Sequence, residues 1–359
     1  MSGSRGVAAA LVLLVSFGCT PSDTRSAPEP AQEASQRPSP SAPSASSSAP
    51  DPSPAPSPSQ TSATRPPRPV NPVSLPALMR KEYDGRGLRL REVLVEAEQY
   101  TEHYVTYRSG SLTISGVMHV PRGKGPFPTL VLAHGYINPD VYVNGQGLSR
   151  EQVRLAQAGF VTLHTDYRGH ASSEDGRRTQ LNLRLGYTED VINAVLALRR
   201  ARLGFIDKQR IGLLGRSMGG GVVYNTLVVR PGLVDAAVAY APVSSDTVDN
   251  FNRWTRQDEV GARIIRTHGS PHQDPRFWRQ VSPRTYFERV TEPLLIHHGT
   301  ADESCPIRWS RQTVRALRRT GNDVRMYTYP GEPHAFIADW TLSMRRSVRF
   351  LDRHLGVGR

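Results

Sequence analysis

The stretch that most restricts what this chain can fold into runs from Arg210 to Val229. Residues 210–214 are apolar enough for a strand covered on both faces. Val222–Val229 is compatible with a helix, and Gly215-Arg216-Ser217-Met218-Gly219 lies between the two. A serine lifted onto a tight strand-to-helix turn crowds the backbone two residues before it and two after. Only glycine fits both places at low steric cost, which gives Gly215 and Gly219 their positions. The helix that follows aims its unbonded N–H groups and positive dipole end at the serine. Such a turn needs a sheet behind it and helices over it.

The rest of the chain supplies that sheet. Tyr100–Arg108 and Leu112–Val120 read as an antiparallel pair turning at Ser109-Gly110-Ser111, and Pro121–Pro128 as a Gly/Pro loop. Further strands are expected at Thr129–Ala133, Phe160–His164, Ala236–Ala241, Pro293–His297 and Val324–Tyr329. Helices are expected at Gln152–Ala158, Thr188–Leu203, Ile307–Arg319 and Ala338–Leu355. Strands alternating with helices at this spacing predict an α/β fold with a mostly parallel central sheet and helices on both faces. Ser74–Glu98 is a polar lead-in with room for one helix. Residues 244–286 interrupt the alternation and carry Trp254, Phe277 and Trp278. They read as a small helical cap over the site, or else as a surface excursion with its own satellite core.

A serine hydroxyl is unreactive near neutral pH, so acyl transfer needs a base beside it and a carboxylate orienting that base. Asp302 follows the strand ending at His297, and His334 follows the last strand, so acid precedes histidine. Ser217, Asp302 and His334 are the candidate catalytic residues. Glu303 and Glu332 compete for the acid's place but sit less well at a strand end, while Asp323 precedes its strand and falls at the opposite end of the sheet. His354 lies inside the last helix and reads as a surface residue, and His297 and His298 read as groups that pack or bridge the backbone. An oxyanion would need two donors: the N–H of Met218, directly after the serine, and Tyr136, through its N–H or its hydroxyl, after the strand that ends in His134-Gly135. His164, Asp166 and His170 admit a metal-ligand reading or a strand-end polar network; no second histidine cluster completes a metal site, and none is expected.

The start of the chain has a different composition. Residues 1–18 combine Arg5, an apolar run from Val7 to Val15 and small residues ending at Gly18, as in a secretory signal too short to span a bilayer. Cys19 then invites lipidation in the manner of a bacterial lipoprotein; ordinary cleavage near Gly18 is the alternative. Residues 19–73, rich in Ser, Pro and Ala, cannot bury a core and read as a disordered tether. The expectation is an exported chain held to the cell envelope through Cys19, its only membrane contact, or else secreted. The catalytic domain is expected over residues 74–359, with 244–286 as its cap. Residues 1–73 hold five arginines against four acids, so nearly all of the +13 net charge falls on this domain. Its basic residues are scattered and lack a nucleic-acid motif, so no nucleic-acid partner is expected. Two cysteines, Cys19 and Cys305, leave no disulfide inside the domain if the first carries lipid, and Cys305 reads as a small packed residue.

Four blocks resemble the catalytic domain of the prolyl oligopeptidase family, in the α/β-hydrolase superfamily. They are Gly215-Arg216-Ser217-Met218-Gly219-Gly220, Ser282-Pro283, Pro293 to Asp302, and Tyr329-Pro330-Gly331-Glu332-Pro333-His334-Ala335-Phe336. Asp166-Tyr167-Arg168-Gly169 matches hydrolases of this type as well. The resemblance implies the Ser217–Asp302–His334 triad, no cofactor, and hydrolysis of a peptide or ester bond in a small substrate. One departure counts: the family's large peptidases carry a β-propeller whose blades take roughly 40–45 residues each, and only about sixty residues separate the tether from His134. A missing size gate moves the expectation toward an esterase on the same residues, and nothing local separates peptidase from esterase. A non-catalytic envelope-binding protein and an acyltransferase are the readings left from other classes.

Overall fold

In the computed structural model, residues 69–357 are described; the proposed signal segment, Cys19 and most of the tether lie outside them. Nine strands form one sheet: β1 (Arg86–Glu96), β2 (Tyr100–Ser109), β3 (Leu112–Pro121), β4 (Phe127–Ala133), β5 (Val161–Thr165), β6 (Ile206–Arg216), β7 (Ala236–Tyr240), β8 (Leu294–Gly299) and β9 (Val324–Tyr329). Their spatial order is β1-β2-β3-β5-β4-β6-β7-β8-β9. The first three strands and the β3–β5 pair run antiparallel, and every pairing from β5 through β4 to β9 is parallel. The helices are α1 (Leu75–Arg80), α2 (Ser149–Gln157), α3 (Leu185–Arg200), α4 (Met218–Val229), α5 (Thr247–Trp254), α6 (Glu259–His268), α7 (Pro275–Gln280), α8 (Ile307–Arg319) and α9 (Trp340–Leu355).

The period of two along the central strands sorts side chains onto two cores. Val131, Ala133, Ile211, Leu213, Ala237, Ala239, Leu294 and Ile296 face one side, packed with residues of α3, α4 and α8. Leu130, Leu132, Leu214, Val238 and Leu295 face the other, against α2 and α9. Gly212 falls on this second face, where a Cβ would come within 2.7 Å of Leu130 Cδ2 and 3.0 Å of Leu355 Cδ1. A larger side chain there would push α9 off the sheet.

The lead-in is where local structure departs from expectation. It holds α1 and then an eleven-residue strand, β1. Its pairing with β2 is irregular throughout, with register shifts between Arg86 and Arg89, between Leu90 and Val93 and between Val93 and Val95. Those shifts break the two-residue period, and β1 is an edge strand exposed along most of its length, so a strand did not stand out in the polar lead-in. The segment after β7 is helical as expected and contains α5, α6 and α7.

Strand order reverses around β4: β5 lies on one side and β6 on the other. At such a switch point the loops after neighbouring parallel strands diverge to opposite faces and open a crevice at the strands' C-terminal ends. The loop after β4 holds His134–Tyr136, and the turn after β6 holds Ser217.

Candidate active site

Ser217 stands between β6 and α4 with φ +55° and ψ −119°, outside the usual regions for an L-residue. The crowding around it is severe. A Cβ on Gly215 would meet the Gly219 carbonyl oxygen at 2.3 Å, and one on Gly219 would meet the Ala133 carbonyl oxygen at 1.9 Å. A Cβ on Gly220 would sit 2.5 Å from Pro242 Cβ, and one on Gly221 2.6 Å from Val243 Cγ2. The turn is tied to β7 and the loop beyond it by the Ser217 N–H donating to the Tyr240 carbonyl (2.9 Å) and the Val243 N–H donating to the Ser217 carbonyl (3.1 Å). The N–H of Met218 opens α4 and has no carbonyl one turn behind it.

Asp302, in the loop after β8, and His334, in the loop after β9, meet. His334 Nδ1 lies 2.9 and 3.0 Å from the two Asp302 oxygens. The same carboxylate accepts from the N–H groups of Ser304 (2.9 Å) and Cys305 (2.7 Å), with His298 Nε2 3.1 Å away. Burial acts to raise the Asp302 pKa. The hydrogen bonds from His298 and His334, the His334 charge and the Cys305 N–H outweigh it and hold the carboxyl well below the usual range. A permanently ionised Asp302 keeps the proton of His334 on Nδ1 and leaves Nε2 as the basic nitrogen. Ser217, Met218, Tyr136 and His334 line one cavity of about 510 Å³, roofed by α5, α6 and the Val281–Pro283 turn.

The loop after β4 is fixed from below. His134 is fully buried, donates from Nδ1 to the Gly135 carbonyl (2.6 Å), and stacks between Tyr142, His164 and Tyr167. A Cβ on Gly135 would sit 3.2 Å from Ser217 Cβ, so this loop passes directly beside the serine. Asp166 accepts from the Ser115 and Tyr142 hydroxyls, the Asn144 amide and the Gly145 N–H. His164 Nδ1 is 3.8 Å from it. With those four donors satisfied, the carboxylate acts as the hub of a polar network. Arg168 grips Asp190 on α3 with two bonds, at 2.7 and 3.0 Å.

The carboxylates that compete with Asp302 both serve the backbone of the His334 loop. Glu303 accepts from the His334 N–H (3.2 Å), and Glu332 accepts from the N–H groups of Ile337 and Asp339. Cys305 is buried beside the Ser217 hydroxyl. Burial pushes its thiol up to about 12, with the Asp302 charge adding to the rise and the serine hydroxyl opposing it, so it stays protonated.

Sequence reasoning missed a clamp on this loop. Arg216, the residue before the serine, donates to the Ala335 carbonyl (3.1 Å) and pairs with Glu151 of α2. Arg150 donates to the carbonyls of Ala335 (2.8 Å) and Phe336 (3.2 Å), and Trp340 Nε1 donates to Glu151 (2.9 Å). His298 was read as a residue that packs or bridges backbone groups. It does bridge to the Cys305 carbonyl (2.7 Å), and it also reaches Asp302, which that reading did not include. Residue type alone gives no warning of either contact.

The fold and the enzyme class are therefore those of a serine hydrolase built on the α/β-hydrolase sheet. Residues 146–358 match the prolyl oligopeptidase family, and the chain belongs to that family. It is 28% identical over 212 residues to an acylamino-acid-releasing enzyme of Arabidopsis thaliana, an alignment covering 58% of this chain and 27% of that protein. The chain thus spans about a quarter of that relative's length. Among solved structures, the acylaminoacyl peptidase of Pyrococcus horikoshii superposes with TM-score 0.58 at 20% identity, covering 74% of this chain and 43% of the other. Acetyl xylan esterase 1 of a Thermoanaerobacterium species superposes with TM-score 0.58 at 17% identity, covering 77% and 92%. Both likenesses are of fold.

Proposed function

We propose that the chain is a serine peptidase of short peptides, working through an acyl-enzyme. Ser217 attacks the scissile carbonyl carbon as His334 Nε2 takes its proton, and Asp302 holds the resulting imidazolium. The N–H of Met218, with Tyr136, stabilises the tetrahedral oxyanion; His334 returns the proton to the leaving amine, and water then releases the acyl group. The observation that carries this reading is His334 itself: its Nδ1 is bonded to an ionised carboxylate while its residue forms part of the cavity wall that Ser217 also lines. The peptide assignment draws on the family and on the acylamino-acid-releasing relative.

Ester hydrolysis is the second reading. It is favoured by the cover of the cavity, which among the described residues comes only from this domain's own helices and loops. The acid on the cavity wall, Asp258, spends Oδ1 capping the Gly261 N–H at 2.7 Å and offers a poor grip for a substrate amine. Comparing kcat/KM on aminoacyl p-nitroanilides with matched p-nitrophenyl esters separates the two readings; ester turnover alone would retire the peptidase. Ser217→Ala is expected to abolish labelling by a fluorophosphonate, and persistent labelling would sink the assignment of the nucleophile. Export and anchoring through a lipidated Cys19 are part of the same proposal. Cys19→Ala is then expected to release the chain from membranes, and unchanged partition would defeat the anchor.

A further inference from the structure

One cation on the wall of the active-site cavity has no structural partner for its charge. Arg184 lines the cavity together with Ser217, Tyr136 and His334. Some half-buried arginines of this domain are paired with carboxylates: Arg168 with Asp190 and Glu189, Arg210 with Asp207, Arg216 with Glu151, Arg284 with Asp246. Others, such as Arg199 and Arg289, spend their donors on backbone carbonyls away from the cavity. Arg184 pairs with no carboxylate among the described residues. Its Nε donates to the Gln180 side-chain oxygen (2.6 Å), and its guanidinium lies 4.7 Å over the Tyr136 ring. Those two contacts fix the plane of the group and leave its terminal N–H donors for something in the cavity.

The backbone holds this side chain there against local preference. Leu183 and Arg184 are consecutive non-glycine residues with φ +52° and +56°. Two left-handed residues in a row are disfavoured and persist only where the surroundings impose them. Here the Arg184 N–H donates to the Thr179 carbonyl (3.0 Å) and the Leu183 N–H to the Gln180 carbonyl (3.1 Å), closing a tight turn that opens α3. The turn delivers a guanidinium to the cavity next to the residue assigned to the oxyanion. Among the described residues, the one carboxylate on this wall, Asp258, is occupied in capping α6, and the one imidazole is that of His334.

We infer that Arg184 is a specificity residue for substrates that carry a carboxylate close to the scissile bond, bound by two parallel N–H···O bonds of the guanidinium fork. This rests on the serine-hydrolase reading of the cavity and names its substrate class as anionic acyl compounds. The carboxylate belongs either to the acyl part or to the leaving part, and matched substrates tell the two apart.

The test uses the purified full chain and two substrate pairs. p-Nitrophenyl glutarate monoester against p-nitrophenyl pentanoate places the charge on the acyl side. 4-Acetoxybenzoate against its methyl ester places it on the leaving side. In one pair the anionic member is expected to be preferred by about 10- to 100-fold in kcat/KM, the range of a charge-assisted hydrogen-bonded pair. Arg184→Gln, which keeps a side chain at the same left-handed position, should erase that preference while changing the neutral substrate less than about threefold; Arg184→Lys should keep part of it. Millimolar glutarate should raise the Tm of the wild type and leave Arg184→Gln unmoved, a readout independent of turnover. A charge preference absent from both pairs, or one that survives Arg184→Gln, would overturn the inference. Loss of all turnover and of fluorophosphonate labelling in the wild type would instead count against the serine-hydrolase reading, with the glutarate shift still deciding whether Arg184 binds anions.

Discussion

Glu151→Gln changes one atom's chemistry and no volume, and it isolates the clamp that joins α2, the residue before the serine, and the loop after His334. The Glu151 side chain is 2% exposed and that of Arg216 12%, so the pair sits almost out of water. Glutamine can still accept through its oxygen from Trp340 Nε1 and Arg216, but the negative charge is gone, and Arg216 keeps its own charge with only neutral partners: that amide oxygen, the Ala335 carbonyl and the Tyr240 ring face. Removing one partner of a buried pair costs about 3–5 kcal/mol, and the remaining carbonyl argues for the lower end, about 3 kcal/mol. For a domain of this size that lowers Tm by roughly 5 °C. The catalytic consequence is separate. Arg216 and Arg150 hold the two carbonyls that follow His334, and a displacement of about 1 Å in a catalytic group costs about 100-fold. Measured well below the transition, kcat should fall by about 10- to 100-fold with KM nearly unchanged, and fluorophosphonate labelling should slow in parallel. The pair Glu151→Leu with Arg216→Met should recover stability, because apolar replacement of a buried ion pair is close to neutral, and should leave kcat low. Full kcat in Glu151→Gln at a temperature where it is folded would refute the positioning argument. Unchanged urea stability would refute the buried-pair argument.

Gly219→Ala should abolish soluble expression or cost more than about 3 kcal/mol, because its Cβ would overlap the Ala133 carbonyl; a stable, active variant would mean that the turn yields more than its geometry allows. Asp302→Asn should lower kcat by about 10⁴-fold through loss of the charge and of the fixed His334 tautomer, and a change under tenfold would move the acid's role elsewhere. His134, His164 and His297 are held neutral by burial, each pushed down to about 3. The unfolded chain binds those protons near pH 6.5 and the folded chain only near 3. Stability should therefore be undiminished above about pH 6.5 and fall as the pH drops toward 3, by up to about 4 kcal/mol per unit if all three titrate in unfolding. Asp302, depressed in the fold, adds a further loss below about pH 4. A urea midpoint that is flat between pH 6.5 and 4.5 would contradict the buried, neutral histidines.

Much of the sheet was legible because its signals are short-range. The helix Ile307–Arg319 and the strand Val324–Tyr329 have the same limits in sequence and structure, since periodicity and flanking breakers act within a few residues. The strand β1 was not legible, because its register shifts break the alternation that betrays a strand. The site divides in the same way. The spacing of Gly215, Ser217 and Gly219 follows from backbone crowding within one turn, and the order of Asp302 and His334 from where loops leave a parallel sheet.

What the sequence determined by itself, then, was the set of local conformations: strand, strained turn and helix around Ser217, the alternation that builds an α/β sheet, and the residue types placed at strand ends. The tertiary structure alone decided which of those residues meet. Glu151 reaches Arg216 across 65 positions and Trp340 across 189, and Arg184 enters the cavity from a turn with no motif of its own. Such contacts depend on how the helices dock onto the two faces of the sheet. Docking is set by the summed shape of many apolar side chains, and no short stretch of sequence encodes it.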